Sequence, residues 1–471
     1  MRPLTLDDDR LLPSDPGTRA VARQIYAAVR DLPIVSMHGH VDVTVLAHNQ
    51  PFSDPANLLV VPDHYVTRML VSQGETLDRL GLGRADGRPV ETEPREIWRR
   101  FCAGWHLFRG TPSRLWLEYE LVEVFGVAIT PSAETADELF DRLVAALSRP
   151  EFRPRALFEK FKLELLATTD SPLSSLAEHL SIIESGWPGV VVPTFRPDAL
   201  VQVDTPGWSQ GIEQLGAVSG IATGTYEGYL AALEQRREHF LRHGARATDH
   251  GHPTADTQPL THWEADGIYQ SALAGETTPQ QAQAFSAHML YEMARMSRDD
   301  GLVMQIHPGI RRNHSAAVHE VFGPDRGFDI PVPVDFVHGL RPLLNTFGQD
   351  PAFRCIVFTT DETSYSRELA PLAGAYPSLR LGAPWWFLDA PSAMRRYREA
   401  VTETAGFYNT SGFVDDTRAF CSIPARHDVA RRVDSGYLAD LVVRGQLGTD
   451  EAIETAVDLT VTLARTAYAP R

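Results

Sequence analysis

Two histidines, His38 and His40, close the apolar run Pro33-Ile-Val-Ser-Met. Side chains alternate along a strand, so on an extended run both imidazoles point the same way. Two neutral imidazoles on one face make a ready pair of ligands for a divalent metal. Spacing alone does not choose between that pair and a surface His-Gly-His turn. At the far end of the chain, Asp415-Asp416-Thr417-Arg418 follows a second apolar stretch, 412–414, and offers a carboxylate. Alternation turns only one of the two aspartates inward. Asp416 is the choice, because Arg418 then shares its face and can hold a substrate carboxylate through two parallel hydrogen bonds. Asp415 is expected to pack outward or to cap the next helix. His307 ends a third apolar stretch, 302–306, and is a candidate for a further metal ligand or a substrate contact.

Two imidazoles and one carboxylate, with room left for water or substrate, suit one divalent ion. Zn²⁺ is the first expectation, and Mn²⁺ or another first-row ion is compatible with the same donors. Four arginines, Arg196, Arg312, Arg418 and Arg426, stand at or just beyond strand ends. Each of these histidines, aspartates and arginines taken alone reads equally as a hydrogen-bonded, capping or solvated side chain. Their joint position at strand ends is the signal.

The elements that must position them read as an α/β chain. Strands are expected at 34–38, 163–167, 190–192, 244–251, 302–306, 355–358, 379–382 and 412–414, and helical patterns follow each of the later ones. Eight strands alternating with helices predict a (β/α)₈ TIM-type barrel, whose strands deliver their C-terminal ends to one mouth. Residues 45–155 differ. They are rich in aromatics and amphipathic helix patterns with no clear strand, and are expected to form a helical insertion after the first strand. The expected organisation is therefore 1–44 (N-terminal arm and first strand), 45–155 (helical cap) and 156–471 (the remaining barrel).

The chain has 471 residues and a formal net charge of −17, which argues against nucleic acid or an anionic membrane as partner. In so acidic a chain, arginines gathered at the mouth would favour an anionic small molecule. Cys102, Cys355 and Cys421 are scattered, with neither metal-ligand spacing nor a disulfide framework. The N-terminus lacks the basic-then-apolar order of a signal peptide, and no apolar run approaches the ~20 residues that span a bilayer. A cytoplasmic protein is expected. A homo-oligomer is also expected, since apolar helices in 45–155 can pack on another subunit as well as on the barrel.

From about 30 to 435 the chain resembles the uronate isomerase family of the amidohydrolase superfamily. The resemblance is carried by Asp63-His64-Tyr65…Arg68, Thr168-Thr169-Asp170-Ser171-Pro172, Pro193-Thr194-Phe195-Arg196-Pro197-Asp198, Asp249-His250-Gly251, His307-Pro-Gly309…Arg312-Asn313, Gly382-Ala-Pro-Trp385-Trp386-Phe387 and Asp416-Thr417-Arg418…Arg426-His427, in that order. The resemblance implies an aldose–ketose interconversion of hexuronates: D-glucuronate to D-fructuronate and D-galacturonate to D-tagaturonate, through a cis-enediol. It places His38, His40 and Asp416 at metal and catalytic positions, with Tyr65 passing protons between the C1 and C2 oxygens. His64, Arg196 and Arg418 fall near the substrate, and Arg312 and Trp385 join them as expected contacts. Strand 4 ends without a lysine and strand 6 ends in Thr360-Asp361, so a single-metal site is expected rather than the carboxylated-lysine bridge of two-metal relatives. Gly39, His314-Ser315 and Ala419 depart from the family's usual pattern beside the metal and proton-transfer positions. Alternatives are therefore a divergent member acting on another sugar or sugar acid, a single-metal hydrolase or decarboxylase, and a sugar-acid binder without turnover.

Overall fold

The structure, a computed structural model, describes residues 3–470. Its centre is a ring of short parallel strands, buried almost throughout. Continuous β-branched and leucine runs suit such a position. β1 (Ile34–Ser36) pairs with β2 (Leu163–Ala167), and β2 with β3 (Val191–Val192). β4 (Ala247–His250) pairs with β5 (Val303–Ile306). A small antiparallel hairpin, β6 (Ile310–Arg311) with β7 (Ile330–Pro331), intervenes. β5 then pairs with β8 (Cys355–Val357), and β8 with β9 (Leu379–Leu381).

Single bridges join these two groups of strands. Phe195 bridges Asp170 on one side and Thr248 on the other, linking β3 to β4, and Leu381 bridges Thr410. The ring closes where the Asp416 N–H donates to the His38 carbonyl (3.2 Å) and the His40 N–H to the Thr417 carbonyl (2.9 Å). The chain is thus an α/β barrel with helices outside.

The eighth strand, expected at 412–414, is extended chain without a ladder. Gly412 (φ 77°) and Asp416 (φ 42°) both lie in the left-handed region, which interrupts regular pleating at each end of the segment. A Cβ on Gly412 would also sit 3.0 Å from the Ala464 backbone nitrogen. The β6–β7 hairpin was not foreseen. Two residues per strand are too few to leave a period in the sequence.

Val35 of β1 and Met37 just beyond it pack with Leu165, Ala167, Val303 and Ile356, while Ile34, Leu163 and Leu166 join the cluster built with the helices between β1 and β2. The register shift between Ile34 and Val35 accompanies the split of Leu163 from Leu165. Between β1 and β2 the described residues form helices and no strand, among them His64–Val71, Pro94–Ala103, Pro112–Tyr119 and Ala136–Leu147. Their starts are written locally: Asp63 caps the Tyr65 N–H (2.8 Å), and Glu93-Pro94 and Thr111-Pro112 pair a capping side chain with a proline in the first turn. Trp98, Phe101, Trp105 and Phe108 pack into the core of this region.

Helix Ile423–Val443 is buried on nearly all sides, between the barrel and helices Pro16–Val29 and Thr449–Val457. It nevertheless carries Arg426, His427, Asp428, Arg431 and Arg432. Each finds a partner, as buried charge requires. The three cysteines are free and buried, and no helix among the described residues is long and apolar enough to cross a membrane.

Candidate active site

The C-terminal ends of the strands open into one cavity of about 520 Å³. His38, His40, His64, Tyr65, Arg196, His307, Arg312, Trp385, Asp416 and Arg418 all line it. The residues singled out from the sequence therefore meet in one place, although they come from both ends of the chain and from the helical region between β1 and β2.

At its floor, one oxygen of Asp416 lies 3.3 Å from His38 Nε2 and 3.0 Å from His40 Nε2. The His307 ring stacks on that of His38 at 4.5 Å between centroids. One ligand atom each from His38, His307 and Asp416 lies within 4.8 Å of the others. His307 Nδ1 is held by Asp249 Oδ1 at 2.7 Å, and its Nε2 is buried with no partner. A histidine fixed through one nitrogen with the other left bare is the arrangement that metal-binding histidines adopt. His38, His307 and Asp416, with His40 against the same carboxylate oxygen, fit a divalent cation. Burial opposes charge on Asp416, but the neighbouring His38 and the hydrogen bonds from both histidines hold its carboxyl well below the usual range. Asp416 is thus a carboxylate in a left-handed backbone conformation, aimed into the cavity.

Asp415 packs outward from the barrel, toward the helix layer, and does not cap the next helix. Its side chain is fully buried, with Oδ2 3.2 Å from His427 Nε2. The two consecutive aspartates thus face opposite ways, Asp416 toward the cavity and Asp415 toward helix Ile423–Val443, as alternation requires.

Arg196, Arg312, Arg418 and Arg426 also line the cavity, interleaved with carboxylates. Arg196 bridges Asp198 (2.9 Å) and Asp249 (2.9 Å). Arg312 pairs with Asp329 (3.0 Å), and its guanidinium lies 5.2 Å from the centre of the Trp386 ring. Arg418 has no carboxylate within ion-pairing distance among the described residues, which leaves its fork free for a ligand. His64 stacks on Trp386 at 5.3 Å, and burial followed by the charge of Arg418 pushes its pKa down to about 3. It is a neutral imidazole at the cavity wall.

Tyr65 enters from the second position of helix His64–Val71. Its hydroxyl donates to Asp389 at 3.0 Å and accepts from the Phe387 N–H at 3.2 Å. Burial, and then the Asp389 charge, push its pKa well above the usual phenol value, so it carries its proton. Asp389 in turn accepts from Arg426 Nη1 at 2.7 Å, and the Arg426 guanidinium lies 3.6 Å from the centre of the Trp116 ring. Asp249 and Asp389 were not found by sequence reasoning as site residues. Asp249 sits on a strand expected only in outline, beside the more conspicuous His250. Asp389 stands in an irregular loop after β9 and meets Tyr65 only through folding.

The sequence pattern of the glucuronate isomerase family matches residues 7–465. The chain belongs to the glucuronate isomerase family. Members of this family similar to it include uronate isomerases from Rhizorhabdus wittichii, 56% identical over 466 residues (99% of both chains), and Rhizobium meliloti, 55% identical over 463 residues (98% of this chain and 99% of the relative). The crystal structure of glucuronate isomerase from Caulobacter crescentus superposes with a TM-score of 0.97 at 52% identity, covering 99% of this chain and 97% of that one. These matches to the glucuronate isomerase family span nearly the whole of this chain.

Proposed function

We propose that the protein is a metal-dependent aldose–ketose isomerase of hexuronates, interconverting D-glucuronate with D-fructuronate and D-galacturonate with D-tagaturonate. The observation that carries this reading is the pairing, in one cavity, of the Asp416 carboxylate and the protonated Tyr65 hydroxyl with the unpaired guanidinium of Arg418. A base, a hydroxyl proton carrier and an anion clamp are what proton transfer beside the carbonyl of a sugar acid needs.

His38, His40, His307 and Asp416 would hold one divalent ion. Zn²⁺ is the ion such nitrogen-rich donors favour, with Mn²⁺ compatible. When bound, it supplies Lewis-acid polarisation of substrate oxygens. Arg418, with Arg196 and Arg312, receives the substrate carboxylate and orients the chain. Asp416 takes the proton from C2 of the aldose and returns it to C1 on the same face of a cis-enediol. Tyr65 moves the hydroxyl proton from the C2 oxygen to the C1 oxygen, its own hydroxyl aligned by Asp389 and the Phe387 N–H. Trp385 and His64 close the wall and exclude water. The expected homo-oligomer belongs to this proposal, and light scattering of the purified chain checks it.

The test is proton NMR of the purified protein with each uronate in D₂O, before and after chelation. Ketose signals that fade on metal removal and return on addition of Zn²⁺ support the reading. A product of altered mass would instead point to a hydrolase or decarboxylase. Equal turnover of uncharged aldoses would overturn the arginine clamp. Tyr65→Phe is expected to lower kcat by about 10²-fold with KM nearly unchanged, since it removes a proton carrier but keeps the ring packed edge-on to Trp116 at 5.5 Å. Steady-state kinetics alongside a thermal melt check this.

A further inference from the structure

Behind the cavity wall, Asp198, His250 and His252 bring a carboxylate oxygen and one ring nitrogen from each histidine within 4.8 Å of one another. Both histidines are buried, His250 completely and His252 to within 3%. Each has one ring nitrogen engaged by a hydroxyl: His250 Nε2 with Thr248 Oγ1 at 2.8 Å, and His252 Nδ1 with Ser286 Oγ at 3.0 Å. The other nitrogen of each, His250 Nδ1 and His252 Nε2, is buried with no partner. Two orphaned imidazole nitrogens on the histidines of one buried cluster are costly unless something satisfies them.

The carboxylate has capacity to spare. Asp198 Oδ2 accepts from Arg196 Nε (2.9 Å), whereas Oδ1 receives only a share of the Gly251 N–H (3.1 Å to each oxygen). Arg196 lies between two carboxylates, Asp198 and Asp249, so its charge is more than matched before any cation arrives. Gly251 makes the close approach possible, because a Cβ there would stand 2.7 Å from Arg196 Nη2 and 2.8 Å from Asp198 Oδ2.

We infer that Asp198, His250 and His252 form a second cation site, separate from the His38–His40–Asp416 centre, that takes a first-row divalent ion such as Zn²⁺. Two imidazoles and one carboxylate, with hydroxyls fixing the far nitrogens, are the donor set and outer shell of such a site. Its role is positional. An ion there ties His250 and His252, on either side of Gly251, to Asp198 and so fixes the Arg196 guanidinium that faces the substrate cavity. The inference does not depend on the reaction assigned to that cavity.

The full-length protein, stripped by chelator and reloaded with Zn²⁺, is analysed for metal after desalting, and its crystals for anomalous scattering at the zinc edge. The expected result is two zinc ions per chain, with an anomalous peak among Asp198, His250 and His252. His252→Gln and Asp198→Asn should each drop the ratio from two to one, and His38→Gln should remove the other ion. The wild-type crystal answers even if a variant fails to fold. One ion per chain, with no anomalous peak in this cluster, overturns the proposal. Two ions with His252→Gln still holding both would overturn it as well.

Discussion

Asp416→Asn is expected to lower kcat for uronate isomerisation by about three orders of magnitude, within the range that a positioned general base contributes. The substitution is nearly isosteric and removes the charge that accepts the C2 proton. It should fold, because asparagine tolerates the left-handed conformation at φ 42° better than any other uncharged residue except glycine. Asp416 is also placed among the metal ligands, so metal content is measured with the rate. Loss of turnover in a variant that retains its metal assigns Asp416 the proton-transfer step. Full recovery of activity in excess Zn²⁺ would limit it to a ligand. Exchange of the C2 proton of the aldose with D₂O is a second readout. It should fall in parallel with turnover.

Arg426→Met is expected to destabilise the fold by about 3–5 kcal/mol, the usual cost of removing one partner from a buried ion pair. Arg426 and Asp389 are both almost fully buried and lie 2.7 Å apart. Burial already works against the charge on Asp389 and on Asp63, and Arg426 is the main counterweight to it in each. Methionine fills similar volume over Trp116 and leaves both carboxylates uncompensated. Urea denaturation followed by tryptophan fluorescence should show a lower midpoint at unchanged slope. Combining it with Asp389→Asn should recover part of the loss, and a strictly additive double variant would show that the pair is not coupled. Activity should fall beyond what stability explains, because Asp389 also aligns the Tyr65 hydroxyl.

What the sequence by itself determined was the set of residues at the strand ends. His38, His40, His307, Asp416 and Arg418 are legible because a parallel barrel brings every strand's C-terminal end to one mouth, so position along each strand fixes position in the site. Tyr65 and His64 were legible only through resemblance, since nothing in a helix start says that it overhangs a barrel. Only the tertiary structure decided how these groups are held. Asp249 against His307 and Arg196, and Asp389 against Tyr65 and Arg426, join residues far apart in the chain, and no local period records such a meeting. Asp415 shows both parts: alternation assigned it outward and Asp416 inward, as they stand, but the meeting of Asp415 with His427 depends on how helix Ile423–Val443 packs against the barrel, which no local pattern records.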